Sequence, residues 1–252
     1  MKLSQSQISQ IESSLYLGHN HHQCNYLPNR MASFRFLSAL GNIDVNLYRQ
    51  LLDYGYRRSG NTIYRTDCGS CHECKVIRIP VNGFAMTKSQ TRVWRNGEQR
   101  FSYTVVKPSF SAQKLRMYRR YLQYQHNAIE SDLNADQYNE FFVSTFLPNS
   151  TKEINFFKDS KLIGVSLVDF VSDVLSSVYF FFEPMVAKLS PGVYSMLAEI
   201  SLAQELGLQY YYPGFYIAQC RAMSYKANFG PAEILTQNGF VSFGQKVKAT
   251  IE

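Results

Sequence analysis

No apolar run in this 252-residue chain approaches the ~20 residues that a bilayer span requires, so a membrane-embedded protein is not expected. The opening residues, MKLSQSQISQIESSLYLG, are polar, include an acid and hold no apolar core of the kind a secretory signal needs. Cysteine occurs only five times, an odd number bunched mainly in one place, which does not suit a secreted disulfide scaffold. These absences lead to the expectation of a soluble cytoplasmic protein with no membrane partner. Acidic residues are also in deficit. Nineteen Asp and Glu stand against 26 Lys and Arg, a net charge of +7 and a pI near 9.1. That excess favours an anionic partner such as nucleic acid without demanding one.

What is present is enough for a packed core. Hydrophobic residues make up 45% and charged residues 18%, too apolar for a disordered chain. The length suits one large domain or two small ones. Tryptophan occurs once, whereas Tyr and Phe occur 18 times each. Most of those rings belong in the interior, although tyrosines also stack on bases.

The chemistry concentrates in YGYRRSGNTIYRTDCGSCHECKVIRIPV, residues 54–81. Cys68, Cys71 and Cys74 follow one another at intervals of three, among Arg57, Arg58, Arg65, Lys75 and Arg78. The spacing allows several thiolates to converge on one metal. Cys24, or one of His19, His21 and His22 in the preceding HNHHQC run, could supply a fourth ligand. Zinc, an iron–sulfur cluster and plain reduced thiols all remain open, and the additional Cys-Pro of the ferredoxin run is missing. The histidine run otherwise reads as solvated loop, and Cys220 as a small buried residue.

Periodicity predicts helices over 31–40, 46–54, 111–126 and 132–142, and a further helix opened by Ser190–Pro191 and closed by Gly207. The second has Asp44 or Asn46 as cap and Gly55 past its end. Strands are expected at 62–65, at 75–81 on a sheet edge because of Pro80, and at 101–107. The run TKSQTRVWRNGEQR reads as a basic surface segment, and Pro108 as a joint between regions 1–107 and 108–252. Residues 154–184 alternate and turn as an antiparallel meander, followed by helix and strand, with further strands at 232–236 and 240–248. The fold class is α+β, with a GNAT-like acyltransferase order in the second region and a smaller cysteine-bearing α/β region before it. Ordinary acetyl-CoA use is disfavoured, because the glycine-bearing pyrophosphate loop is replaced by VAKLSPGVY.

CNYLPNRMA, residues 54–81 with the later SQTRVWRN, LIGVSLVDFVSDVLSSVYFFFEP and YYYPGFYIAQCRAMSYKANFGPAEIL together resemble the aminoacyl-tRNA–protein transferases, in collinear order over nearly the whole chain. The likeness is strongest to the bacterial leucyl-transferring branch. Thr91, Glu183 and Pro213 depart from the family's Arg, Asp and aliphatic residue. The resemblance implies transfer of leucine from leucyl-tRNA to the free N-terminal Asp or Glu of an acceptor protein, marking it for degradation, with no cofactor required for the transfer. Arginine donation, a GNAT acetyltransferase and a non-catalytic metal-bearing tRNA-binding protein stand as alternatives.

Such a reaction is attack of an α-amine on an activated ester, so positioning and oxyanion stabilisation matter more than a strong base. A cation must hold the acceptor carboxylate, and Arg30, Arg78 and Lys226 are the candidates. Arg57, Arg58, Arg92 and Arg95 are expected along the tRNA acceptor end, with Tyr216 or Tyr225 near its terminal adenosine. Asp169, Ser177 and Tyr179 are expected to handle protons, and Cys24, Cys68, Cys71 and Cys74 to hold any metal.

Overall fold

The computed structural model describes residues 4–39, 43–126 and 133–243. The first part of the chain runs through helix α1 (Gln5–Leu15), strands β1 (Tyr16–Gln23) and β2 (Met31–Ser38), helix α2 (Val45–Asp53), and strands β3 (Arg57–Ser59), β4 (Thr62–Thr66) and β5 (Lys75–Pro80). Helix α3 (Lys88–Glu98), β6 (Ser102–Val106), α4 (Ala112–His126) and the single turn α5 (Ala135–Tyr138) follow. The meander is β7 (Thr151–Lys158), β8 (Lys161–Val171) and β9 (Val174–Phe182), then α6 (Pro191–Glu205) and β10 (Tyr210–Tyr216). The short α7 (Arg221–Ser224), β11 (Ala232–Thr236) and β12 (Gly239–Phe243) complete it. Among the described residues, no helix is long and apolar enough to cross a membrane.

Two sheets result. The smaller has the order β1-β2-β4-β3 and the larger β12-β11-β5-β10-β9-β8-β7-β6. Within the larger sheet only β9 and β10 pair in parallel, joined by α6. An apolar core gathers α6 against the sheet through Met196, Leu197, Ile200 and Ala203, with Val168, Leu175 and Tyr211 facing them. The expected meander, helix and strand are all in place. The sheet also crosses the joint expected at residue 108, because β5 and β6 come from residues before it.

Several local expectations need correction. Residues 31–38 form a central strand rather than a helix, hydrogen-bonded on both sides to β1 and β4. Met31, Phe34 and Leu37 mimic a helical repeat, but a short apolar run cannot distinguish the two periods, and two-sided pairing decides. The histidines lie on the edge strand β1, where His22 stacks on Phe34 and His19 reaches Asp67 at 2.8 Å, rather than in a solvated loop. Strand β5 is interior, between β11 and β10, and Pro80 is tolerated because it is the strand's last residue. Residues 88–98 form a helix opened by a Thr87–Gln90 capping box. Its Gly97 lies against Tyr194 of α6 so closely that a Cβ there would come within 2.2 Å of the ring. The helix expected over 132–142 is one α-turn continued by a π-helical turn, Asn139–Val143, and residue 132 lies outside the described residues. The last strand is described as far as Phe243, so 244–248 of its expected range also lie outside.

The two sheets are joined through adjacent arginines on β3. Arg58, fully buried, donates from Nε and Nη2 to the two oxygens of Asp169 on β8, both at 2.6 Å. Thr151 donates to the same carboxylate at 2.8 Å, and Arg58 also reaches the Gly60 carbonyl at 3.2 Å. Removing one partner strands the other charge away from water. Asp169→Ala or Arg58→Ala is therefore expected to cost about 3–5 kcal/mol of unfolding free energy in urea titrations. The apolar double variant Arg58→Met with Asp169→Leu should recover most of that loss; a double variant as unstable as either single one contradicts this account.

Candidate active site

Strands β9 and β10 pair only from Tyr210–Val174 to Tyr212–Ser176. Beyond that point both carry an irregularity. On β9 the register against β8 slips between Ser177 and Tyr179, leaving Val178 as the extra residue. On β10 the register against β5 slips between Tyr211 and Gly214, so that Tyr212 and Pro213 oppose one residue. Such bulges bend and twist a strand. Pro213, which has no N–H to give a ladder, is accommodated in a central strand for that reason. The sheet thus parts at Ser177 on one side and Gly214 on the other.

Two buried cations meet at this opening. Lys226, 8% exposed, donates from Nζ to the Phe215 carbonyl at 2.8 Å and approaches the Met223 sulfur at 3.3 Å. A Cβ on Gly214 would lie 3.4 Å from Nζ, and the glycine's φ of +103° suits it to this bend. Arg57, 4% exposed, donates from Nη2 to the Ser177 carbonyl, while its Nη1 is buried without a partner. Burial, and then the charge of Arg57, push Lys226 down to about 7, with Cys220 acting weakly the other way. Among the described residues no carboxylate pairs with either cation. A buried, uncompensated pair of donors is what a site built to receive an anion looks like before the anion arrives.

Behind the opening lies a group that the sequence reading missed. Glu199 of α6 is buried and accepts hydrogen bonds from Ser166 at 2.6 Å, Ser195 at 2.9 Å and Tyr211 at 2.6 Å. Burial raises its pKa, against the pull of these hydroxyls and of Ser177. The signal was present: Glu199 is the lone acid in the apolar run MLAEISL of a helix expected to face the core.

The residues expected to act together are divided. Ser177, Arg57, Lys226 and the half-buried Tyr225 gather at the opening; burial pushes the Tyr225 hydroxyl up to about 12. Asp169 and Arg58 do not join them, since they are paired with each other, with Thr151 and with the Gly60 carbonyl, and neither has exposed surface to offer a proton or a phosphate. Tyr179 packs edge-on among Tyr118, Phe141 and Phe142. Arg78 is held by Glu233 at 2.6 Å and Asp53 at 3.1 Å, between the rings of Tyr210 and Phe240 at 3.8 Å each, which leaves it poorly placed to clamp a further carboxylate. Tyr216 stands against Phe243. Arg92 and Arg95 are exposed on α3, and that helix is tied to the Lys226 turn through Gln90 and the Asn228 carbonyl at 3.1 Å.

Cys24, Cys68, Cys71 and Cys74 line one cavity of about 90 Å³, with Arg30 at its rim. None of the five cysteines is in a disulfide. Burial, then the neighbouring thiols Cys68, Cys24 and Cys71, push the Cys74 thiol up to about 12. The Cys71 sulfur accepts from Arg30 at 3.2 Å, and the Cys68 and Cys24 sulfurs accept backbone N–H groups of Ser33 and Leu27. The donor chemistry suits a soft metal. Among the described residues, however, no three His, Cys, Asp or Glu side chains are arranged so as to hold a metal ion. Convergence on a cavity is found; a formed ligand sphere is not.

Comparison with known proteins gives these features a family. Residues 22–92 match the model of the arginine-tRNA-protein transferase N terminus, and 113–236 that of its C terminus. An aspartate/glutamate leucyltransferase from Hahella chejuensis is 33% identical over 238 residues, covering 93% of this chain and all of the relative. One from Chromobacterium violaceum is 38% identical over 213 residues, 84% of this chain and 87% of the relative. Among solved structures, the C-terminal domain of a putative lysylphosphatidylglycerol synthetase from Agrobacterium fabrum aligns over 79% of this chain and 65% of its own, at 14% identity and a TM-score of 0.49. On the strength of both family models and of relatives matched nearly end to end, the chain belongs to the arginine-tRNA–protein transferase family.

Proposed function

We propose that this protein transfers leucine from leucyl-tRNA to the free N-terminal Asp or Glu of acceptor proteins, in the cytoplasm where charged tRNA is made. The observation that carries the reading is the pair of buried, unpaired cations, Arg57 and Lys226, at the parting of β9 and β10. An acceptor carboxylate entering there would receive Arg57 Nη1 and Lys226 Nζ, a charge-assisted arrangement that an amide side chain could not match. The family relatives named for aspartate/glutamate transfer support the choice of anion.

The acceptor's α-amine, with a pKa of about 7.7–8.0, is partly neutral at cytoplasmic pH and attacks the ester carbonyl. The new C–N bond forms as the C–O bond to the terminal ribose breaks; the amine's proton leaves and the ribose oxygen gains one. The exposed Arg92 and Arg95 serve the tRNA backbone, close to the site because α3 is pinned to the Lys226 turn. The meander, α6 and the parted parallel pair are the frame of a GNAT-like acyltransferase. Pro191 at the start of α6 supplies no N–H to a pyrophosphate, which speaks against the acetyl-CoA alternative. The four-cysteine cavity would accept zinc or an iron–sulfur cluster if the thiols close on it. Bound metal would then hold the 68–74 loop against β2 and supply structural rather than reactive chemistry.

Purified protein incubated with labelled leucyl-tRNA and an Asp-starting peptide should give leucylated peptide, with arginyl-tRNA and acetyl-CoA giving little product in parallel. Tight tRNA binding without transfer would instead identify a non-catalytic binding protein. Lys226 also predicts a pH dependence. Its charge is present below about 7 and lost as pH rises through that value. The KM for an Asp-starting peptide should therefore rise between pH 6.5 and 8.5, by on the order of tenfold if one charge-assisted bond is lost. A lysine of ordinary pKa would give no such rise, since deprotonation of the acceptor amine over that range can only lower KM. Metal analysis of anaerobically purified protein, with its absorption spectrum, should show about one zinc or a cluster per chain if the cysteines close; metal-free protein of full activity would remove the metal from the account.

A further inference from the structure

Among the described residues three acids are buried, Glu153, Asp169 and Glu199. Lys114 neutralises the first and Arg58 the second. Glu199 has no cation beside it; Ser166 and Ser195 donate to its Oε1 and Tyr211 to its Oε2. A carboxylate held away from water by hydroxyls alone costs stability that an apolar residue on α6 would not. Such a cost, next to an opening in the sheet, points to a role in the reaction.

One of the hydroxyls around Glu199 differs from the rest. Ser166, Ser195 and Tyr211 are buried. Ser177 is half-buried, and its hydroxyl acts as a hydrogen-bonding neighbour on both Glu199 and Tyr211. Strand alternation accounts for this: Leu175, two residues earlier on β9, packs in the core against α6, and Ser177 shares its face. Ser177 is therefore held at both ends, its carbonyl by Arg57 and its hydroxyl by the Glu199 network. Tyr225, next to Lys226 at the opening, also feels the charge of Glu199. Among the partners of Glu199, Ser177 is thus the one that leads to the opening.

We propose that Glu199 is the positioning residue for Ser177 in aminoacyl transfer, holding the serine O–H so that the oxygen's lone pairs are free to take a proton from the attacking α-amine. As the C–N bond forms, the amine's proton passes to Ser177 Oγ and the serine's own proton to Glu199. The same pair returns a proton to the ribose oxygen as the C–O bond breaks, so both residues end unchanged. Burial raises the pKa of Glu199, which suits it to hold a proton in transit. This rests on the proposed aminoacyl transfer and supplies that reaction with its proton route.

Single-turnover transfer from leucyl-tRNA to an Asp-starting peptide reads the step directly. Glu199→Gln, which keeps the shape but cannot take up a proton, should lower the rate at saturating peptide about hundredfold, the lower end of what a placed proton acceptor contributes. The peptide concentration for half-maximal rate should stay within about twofold, because Lys226 and Arg57 are untouched. Glu199→Asp, which restores a carboxylate, should recover about tenfold of the loss. Ser177→Ala should lose about as much as Glu199→Gln, and the double variant no more than either, as groups acting as one unit do. Ser195→Ala, which removes a sealed partner of the same carboxylate, should lose at least about tenfold less than Ser177→Ala. If Glu199→Gln fails to fold, judged by its thermal melt, the contrast between the two serine variants decides alone. Equal losses in those two variants, a folded Glu199→Gln of parental rate, or losses that multiply in the double variant overturn the inference. A parent protein that transfers no amino acid overturns the proposed function instead.

Discussion

The buried pair of Arg58 and Asp169 is the constraint on which the rest of the arrangement depends. One partner belongs to the three-residue strand β3 of the smaller sheet and the other to the middle of the meander. A buried ion pair of this kind adds little net stability over a well-packed apolar pair, but it tolerates very little displacement. With Arg58 fixed, its neighbour Arg57 is carried to the Ser177 carbonyl, and Tyr64 on the paired strand is carried to Phe215. The smaller sheet thereby delivers a cation and an aromatic wall to a point where the larger sheet has been opened by two bulges. Neither sheet contains this site alone.

The opening has its own local causes. A proline and a glycine follow one another at 213–214, one unable to donate to a ladder and the other at φ +103°. Lys226 fills the space that the missing side chain leaves and is buried there at the expense of its charge. Burying two cations without an acid is costly in the empty protein, and such a cost is tolerated where binding of the counter-charge recovers it. The same logic sets Arg78 apart: held between two aromatic rings, it is already neutralised by Glu233 and Asp53.

Much of the frame was legible in the sequence because its signals are local. The meander declares itself through alternation and turn residues, α2 through Asp44 and Gly55, and α6 through Ser190–Pro191 and Gly207. What was not legible depends on pairing across long separations. Strand β2 reads as a helix until β1 and β4 flank it, and β5 reads as an edge until β11 arrives from more than 150 residues later. The candidate site shows the same division. Lys226 and Ser177 were visible within their motifs, yet Arg57 and Arg58, side by side in the chain, have different fates that no charge count reveals. One keeps a free buried donor and the other is spent on Asp169. Glu199 stayed hidden because an acid on an apolar helix is unremarkable until Ser166, Ser195 and Tyr211 are found around it.

The central claim is that the acceptor's acidic side chain is recognised by Lys226 and Arg57 at the parting of the sheet. It is tested most directly by the ratio of kcat/KM for peptides starting with Asp and with Asn, measured on the parent protein and on Lys226→Met. The account predicts a strong preference for Asp in the parent, falling by at least about tenfold in the variant, the worth of one buried charge-assisted hydrogen bond. A variant that loses activity toward both peptides in equal proportion, with its preference for Asp intact, would contradict it.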